Sequence, residues 1–258
     1  MLKRRLIPRF LARNSTSASK NGFEVCVSQN YSNLKMIGSL KSQLRICESN
    51  KADELLVVNT TKSLGAIDPE FIKEIAESIQ ILSTPIMVGG GINSLDDASA
   101  LVAVGVDKIL CGVSRFNPEL YTEIVNCFGS QALTISIDYT ISENSILIGS
   151  STKTVHDAES FRSLIRRIEE SGAGEIILNR IDYDGTKQGL DLETLHLVLS
   201  CASVPVIASA GAGKLEHFVS AFEAGADGVA VGTYFAKMDQ SPLQLRSRLF
   251  NAGVRIRA

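Results

Sequence analysis

The sequence predicts an α/β protein that folds as a single (β/α)8 TIM barrel built from two half-barrel repeats. The chain has 258 residues, a length at which such barrels commonly form one domain, and 45% of the residues are hydrophobic. Short β-branched runs alternate with longer amphipathic stretches, which is the pattern of strands and helices around a parallel sheet. A glycine-rich segment recurs at a constant spacing, which indicates that one half repeats the other.

About eight strand and helix pairs follow one another, and eight is the number that closes a barrel. We expect the first strand at 5–11 and its helix at 34–49. The later pairs are expected at 55–58 with 69–81, 86–88 with 95–104, 109–111 with 118–127, 133–137 with 158–171, 176–178 with 191–200, 204–208 with 215–224, and 228–231 with 242–252.

The internal repeat relates segment 85–113 to segment 205–233 without a gap, at an offset of 120 residues. The matching positions hold only glycine, proline, leucine and aspartate, which ordinary βα loops could also produce. The constant offset nevertheless favours two half-barrels, at approximately 1–130 and 131–258.

Charge and composition argue against several classes of function. The chain has 26 basic and 28 acidic side chains, so no overall field attracts nucleic acid or an anionic membrane. No apolar run of signal-peptide length follows the basic start, and none approaches the roughly 20 residues of a membrane span. The five scattered cysteines suit reduced thiols in a cytoplasmic protein. The dispersed cysteines and histidines lack metal-ligand spacing, so we expect no metal and no cofactor.

Two glycine-rich strand ends are candidate phosphate-binding loops. The first cradle contains Gly90 and Gly91, and the second cradle contains Gly211 and Gly213. Glycine lets the backbone approach an anion closely and direct its N–H groups at it, and the following helix adds its dipole. Either motif alone would be ascribed to a tight turn, but their matching positions at the expected active-site end favour phosphate binding by both.

The two cradles are not equivalent. Gly112 and Val113, at the outer end of the first cradle, carry no hydroxyl, whereas Thr233 supplies one to the second. We therefore expect the first cradle to bind phosphate less tightly, or to bind a different group. Asp184 and Gly185 lie in a polar loop that is expected to cover the second phosphate. Cradles on opposite sides of the barrel suit an elongated substrate with a phosphate at each end.

Several motifs together resemble the cyclase subunit of imidazole glycerol phosphate synthase. They are RLIP at 5–8, GGGI at 89–92, FGSQA at 128–132, GAGEI at 172–176, IDYDGTKQG at 181–189 and ASAGAGKLEHF at 208–218. The resemblance covers nearly the whole chain, and its second half is more specific than a barrel requires. It implies a lyase of histidine biosynthesis, which receives ammonia from a HisH-like glutaminase subunit in a heterodimer and uses it to split and cyclise a phosphorylated small-molecule substrate.

The resemblance also implies two catalytic aspartates on opposite strands, acting as general acid and base. Asp138 matches the second of them. Leu11 stands at the position of the first and cannot transfer a proton. Further differences from the family are Asn59 at the end of the second strand and Gly112-Val113 in place of an asparagine-threonine pair.

A second set of matches lies at the other end of the barrel. Arg5, Glu54, Lys108 and Glu175 fall where the family places a charged gate through which ammonia enters. Alternating charges from four strands can satisfy one another in a buried layer, so a purely structural ion-pair ring is the alternative. The match implies that docking to a glutaminase is retained.

The reaction itself stays open because of Leu11. The IPxxL start is similar to cyclase-like proteins of surface-polysaccharide synthesis, which with a glutaminase supply ammonia for an acetamidino sugar. Their usual lysine-aspartate-glycine run is absent, since 12–15 reads ARNS. A phosphoribosyl isomerase on the same half-barrel plan is a second alternative, which the gate residues and GAGKLEHF disfavour. A non-catalytic barrel that binds phosphorylated ligands and regulates a partner is the third.

Overall fold

The computed structural model describes residues 4–15, 22–29, 32–61, 66–143, 145–149, 154–237 and 240–256. The first three residues of the basic start therefore lie outside the described residues. The described strands are β1 Arg5–Asn14, β2 Phe23–Gln29, β3 Ser32–Ser39, β4 Leu55–Asn59, β5 Ile86–Gly89, β6 Lys108–Gly112, β7 Leu133–Ser142, β8 Ser145–Ile148, β9 Thr154–His156, β10 Glu175–Arg180, β11 Val206–Ser209 and β12 Gly228–Val231. The described helices are α1 Leu40–Ser49, α2 Pro69–Ile79, α3 Leu95–Ala103, α4 Pro118–Phe128, α5 Ala158–Glu170, α6 Leu192–Leu199, α7 Leu215–Ala224, α8 Thr233–Lys237 and α9 Pro242–Asn251.

Eight parallel strands close into a barrel. They pair in the order β1, β4, β5, β6, β7, β10, β11 and β12, and β12 pairs back to β1. Helices separate successive barrel strands along the chain, as a right-handed parallel crossover requires. The predicted (β/α)8 barrel is confirmed, and every predicted strand overlaps an observed one. We call the end formed by the carboxyl ends of these strands the mouth.

Two hairpins interrupt this order, one after the first barrel strand and one after the fifth. β1 and β7 both run past their predicted ends and turn back, into β2 and β3 and into β8 and β9 respectively. The predicted helix at 34–49 is consequently wrong over its first part, because α1 begins only at Leu40. Gly38 has a φ of +144°, which a helix cannot contain, and the Ser39 hydroxyl accepts the Ser42 N–H as the helix cap.

The sequence repeat reappears in the hydrogen bonds at the base of the barrel. The Asp107 carboxylate accepts the Ile86 N–H at 2.8 Å, and the Asp227 carboxylate accepts the Val206 N–H at 2.9 Å. The two pairs lie 120 residues apart, which is the offset of the sequence repeat. The limits of the two half-barrels stay a prediction.

The apolar core is divided by the sheet, because successive strand residues point to opposite faces. The larger part lies between the strands and the helices. The smaller part fills the barrel and consists of Ile7, Leu56, Met87, Leu110, Ile177, Ile207 and Ala230. This inner layer separates the amino ends of the strands from the mouth. Within the described ranges, no helix is long and apolar enough to cross a bilayer.

We expect Gly174→Ala to destabilise the barrel. A Cβ at Gly174 would lie 2.1 Å from the backbone oxygen of Ser130, so one of the two segments must move. The expected loss in free energy of unfolding is about 3 kcal/mol, the upper end of the cost of overpacking. Urea unfolding measures it.

Gly112→Ala is the matched control, because the nearest atom to a Cβ there is the Ser114 hydroxyl at 3.8 Å. Its effect should stay within about 0.5 kcal/mol. Equal effects of the two substitutions would contradict the importance of the contact between Gly174 and Ser130.

Candidate functional site

Four charged side chains meet at the amino ends of the barrel strands. Arg5 donates to Glu54 Oε2 at 2.7 Å and also to Glu175, and Lys108 Nζ lies 2.9 Å from Glu54 Oε1 and 3.1 Å from Glu175 Oε2. Each cation thus contacts both carboxylates. We call these four residues the charged ring. The structure brings together all four residues that match the family's gate positions.

The charged ring is electrostatically self-contained. The side chains of Glu54 and Glu175 are 3% and 6% exposed, so water compensates little of their charge. Burial by itself lowers the pKa of Arg5, but the carboxylates of Glu175 and Glu54 outweigh burial and hold this pKa above its ordinary value. The ring therefore closes the base of the barrel with paired charges.

At the mouth, Asp138 lies on the inner face of β7. Its Oδ1 accepts hydrogen bonds from Asn179 Nδ2 at 2.6 Å and from the Ser136 hydroxyl at 3.2 Å. The Asn179 Oδ1 in turn accepts from Arg9 Nη1 at 2.6 Å, and the same nitrogen donates to the Ser209 hydroxyl at 3.0 Å. A chain of hydrogen bonds thus joins β1, β10 and β7 beneath the mouth and fixes the orientation of the Asp138 carboxylate.

Leu11 lies on the strand opposite Asp138. β1 and β7 are four strands apart in either direction around the barrel. Alternation from Arg5 through Ile7 and Arg9 places Leu11 on the inner face, where it is 6% exposed. The side of the mouth that faces Asp138 therefore presents an aliphatic side chain.

The sequence interpretation missed Arg9, Asn179 and Ser209. The alternation of side chains could have predicted that Arg9 points inward, because it lies four residues after Arg5 on the same face of one strand. Asn179 likewise lies four residues after Glu175. Which strands the long Arg9 side chain would reach depends on barrel closure, which periodicity does not specify.

The first cradle is tightly packed, and a buried carboxylate of the chain lies next to it. Gly90 has a φ of +93°, and a Cβ there would lie 2.2 Å from the Asn59 oxygen. Gly91 also has a positive φ, of +88°, and is exposed. The buried Asp97 carboxylate accepts the N–H groups of Ile67 and Asn93 at 2.9 Å, and that of Ser94 at 3.1 Å.

These bonds leave Asp97 ionised beneath the first cradle. Burial alone raises the pKa of Asp97, but the hydrogen bonds it accepts outweigh burial and lower that pKa. The Ser94 hydroxyl caps α3 by accepting the Asp97 N–H at 3.2 Å. A phosphate at this helix start would meet both a fixed negative charge and donors that are already engaged.

The second cradle has the opposite character. Gly211 has a φ of +85° and would clash with the Gly189 oxygen if it carried a Cβ. Lys214 occupies the N-cap of α7 and provides no side-chain cap. The Gly213 N–H donates to His217 Nδ1 at 3.1 Å, and burial together with the Lys214 charge lowers the pKa of His217, which favours a neutral ring.

Lys214 and His217 lie 120 residues after Ser94 and Asp97. The second cradle thus has a lysine and a neutral histidine where the first has a serine and a buried carboxylate. The second therefore suits an anion better than the first.

The other residues predicted for the second phosphate lie at different depths. Thr233 is buried, is separated from the end of β12 by one residue and begins α8. The Asp184 carboxylate accepts a hydrogen bond from the Ser28 hydroxyl at 2.9 Å and lies 3.9 Å from Arg9 Nη2. It thus connects β2 to the loop that contains Asp184. Gly185 has a φ of +74°. Phosphate binding by this loop stays a prediction.

Comparison with known proteins agrees with this geometry. A family model described as "Histidine biosynthesis protein" matches residues 20–240. An imidazole glycerol phosphate synthase subunit hisF2 of Prochlorococcus marinus (strain MIT 9313) is 36% identical over the whole chain and 99% of the relative.

HisF subunits of the same synthase show similar identity over most of the chain. The HisF of Campylobacter jejuni (serotype O:6, strain 81116) is 36% identical over 88% of this chain and 91% of its own. The HisF of Thermotoga sp. (strain RQ2) is 34% identical over 88% and 90%. Together with the closed barrel, these matches show that the chain belongs to the histidine biosynthesis protein family, among the HisF-like cyclase subunits of imidazole glycerol phosphate synthase.

Proposed function

We propose that the chain is the cytoplasmic barrel subunit of a glutamine-dependent complex. A glutaminase subunit docks at the base of the barrel, its ammonia enters through the charged ring, and a phosphorylated substrate accepts it at the mouth. The charged ring is the observation that carries this proposal. Each of its two cations contacts both carboxylates, so one ion pair can open for ammonia while the cation keeps its other carboxylate. The similar proteins from other organisms are named as subunits of one synthase, which supports the partnership.

The chemistry at the mouth centres on Asp138 in this proposal. Its carboxylate is held by Asn179 and Ser136 and accepts a proton from the reacting ammonia or substrate. Leu11 supplies no second acid, so the enzyme performs the histidine-pathway cyclisation with a single carboxylate of the original pair. The second cradle binds a phosphate through Gly211 and Gly213, and Thr233 lies beside it.

A different acceptor of the ammonia is the second candidate function. Leu11 favours it, because loss of the first acid removes one half of the acid and base pair that the cyclisation uses. In this version the barrel passes ammonia onward for acetamidino-sugar formation in surface-polysaccharide synthesis. The ring and the glutaminase partner are the same in both versions.

Mixing the purified chain with a class I glutaminase of the HisH type tests the partnership. We expect the two to co-elute in gel filtration as a heterodimer. Glutamine hydrolysis should rise about fivefold or more when the phosphorylated substrate of imidazole glycerol phosphate synthase is added, which is within the usual range of coupling between sites. Absence of both the complex and the stimulation would contradict the proposed function.

Lys214→Asp should weaken binding of inorganic phosphate at least about tenfold, because it places a negative charge at the second cradle. Ser94→Asp makes the equivalent change at the first cradle and is the matched control, since aspartate caps a helix well in both places. Its effect should stay within about twofold, because Asp97 already disfavours an anion there. Isothermal titration calorimetry measures both. A larger loss in Ser94→Asp would reverse the assignment of the two cradles.

Leu11→Asp should raise the rate of cyclisation of the histidine-pathway substrate with ammonium salts at least about tenfold, since a positioned acid or base commonly contributes 10²–10⁴-fold. Leu11→Asn, which has a similar size and no titrating proton, should give no increase. Adding Asp138→Asn to the Leu11→Asp variant should remove the gain. A wild-type rate already equal to that of the HisF relatives would disprove the importance assigned to Leu11.

A further inference from the structure

Arg9 is a buried cation at the mouth, and its side chain reaches across the barrel interior. The side chain is 5% exposed. Its Nη1 donates to Asn179 on β10 and to Ser209 on β11. Two barrel strands, β12 and β11, lie between β1 and β10, so the bond to Asn179 joins strands that are not neighbours. A guanidinium has N–H donors and no acceptor, so Arg9 can only donate to the groups around it.

This donor-only character decides which way the Asn179 amide points. An asparagine amide carries an accepting oxygen and a donating nitrogen on the same carbon, so fixing one atom fixes the other. Arg9 takes the oxygen at 2.6 Å, and the nitrogen consequently faces Asp138 Oδ1, also at 2.6 Å. The opposite orientation would set nitrogen against the guanidinium and oxygen against the carboxylate. Since Asn179 is 3% exposed, water could compensate little of that loss.

The orientation of Asn179 in turn assigns the two oxygens of Asp138. Oδ1 accepts from the Asn179 nitrogen and from the Ser136 hydroxyl. An oxygen that already accepts two hydrogen bonds is occupied as an acceptor, so a proton taken up by this carboxylate goes to Oδ2.

We propose that Arg9 is a positioning residue for the reaction at the mouth: through Asn179 it holds the Asp138 carboxylate as a base that takes up its proton at Oδ2. The inference rests on the proposed function only for the role of Asp138. After ammonia has bonded to a substrate carbon, its nitrogen carries a positive charge. A proton then passes from this nitrogen to Oδ2, and the electron pair of the broken N–H bond stays on the nitrogen. With Leu11 opposite, these two positions offer a base and no acid.

A purely structural role for Arg9 is the alternative. The Asp184 carboxylate lies 3.9 Å from Arg9 Nη2 and accepts a hydrogen bond from Ser28, so the arginine also offsets a charge beside the second cradle. Such a role would affect stability and phosphate affinity, and it would not depend on Asn179. The two roles therefore predict different results when Asn179 is removed.

The first test follows the Asn179 amide and needs neither partner nor substrate. In a proton–nitrogen NMR correlation spectrum of the whole chain, Asn179→Ala identifies the side-chain amide signal by its loss. One of the two amide protons should be shifted downfield by the short bond to Asp138, and Arg9→Met should abolish this shift. Arg9→Lys should retain it, because Nη1 alone makes both bonds and one ammonium can replace it.

The second test is kinetic and uses ammonium salts with the phosphorylated substrate. Arg9→Met should lower kcat about tenfold and leave KM within about twofold, because the base is misplaced while substrate binding is kept. Arg9→Lys should recover most of this loss. In the Asn179→Ala background, Arg9→Met should lower kcat less than about twofold further, since its effect passes through Asn179. Ile7→Val, on the same face of β1, controls for lost packing and should leave kcat unchanged.

An unchanged amide signal in Arg9→Met would overturn the proposal, as would a full loss of kcat that persists in the Asn179→Ala background. If Arg9→Met does not fold, Arg9→Gln takes its place, because a glutamine can present oxygen or nitrogen to Asn179 and leaves its orientation unfixed. Amide signals that behave as expected in a chain without turnover would support the role of Arg9 in holding Asp138 and refute the proposed function.

Discussion

The ion pairs of the charged ring constrain the rest of the barrel. Carboxylates as deeply buried as those of Glu54 and Glu175 are costly unless cations pair with them, and here each of two cations contacts both. A shift of any contributing strand by one residue would turn its charge into the outer core, because side chains alternate between the two faces. The ring thereby fixes the register of the strands that also carry the groups of the mouth.

That register explains why the mouth contains a cation. Arg9 lies four residues after Arg5 on β1, so the alternation of side chains places it inside the barrel as well. A guanidinium buried there needs several hydrogen-bond acceptors to be tolerated. Asn179 and Ser209 provide them, and the Asp184 carboxylate lies 3.9 Å away. Because Asn179 gives its oxygen to Arg9, its amide nitrogen is left to donate to Asp138. The arginine and the orientation of the Asp138 carboxylate are therefore parts of one network.

The two halves share a backbone plan but differ in charge. The aspartates that tie adjacent strands recur at the same offset as the cradles, so the halves are equivalent as scaffolds. The helix starts are not: Asp97 satisfies backbone donors under the first cradle, while Lys214 leaves those of the second without a side-chain cap. Affinity for an anion can thus change in one half without disturbing the strands, because the change is confined to the first turn of a helix.

Periodicity predicted the order of the barrel because each strand and helix carries its own signal in a few residues. It did not predict the hairpin after β1, since the helix-like stretch before Leu40 is decided by Gly38 and its positive φ. The family resemblance, not periodicity, predicted the positions of the charged ring. The hydrogen bonds of Arg9 depend on strands that meet only when the barrel closes. Thr134 marks the limit most clearly. In the sequence it is one of several inward-facing residues of β7. Its hydroxyl has no hydrogen-bond partner in the described part of the chain, and this depends on the positions of surrounding atoms that periodicity does not specify.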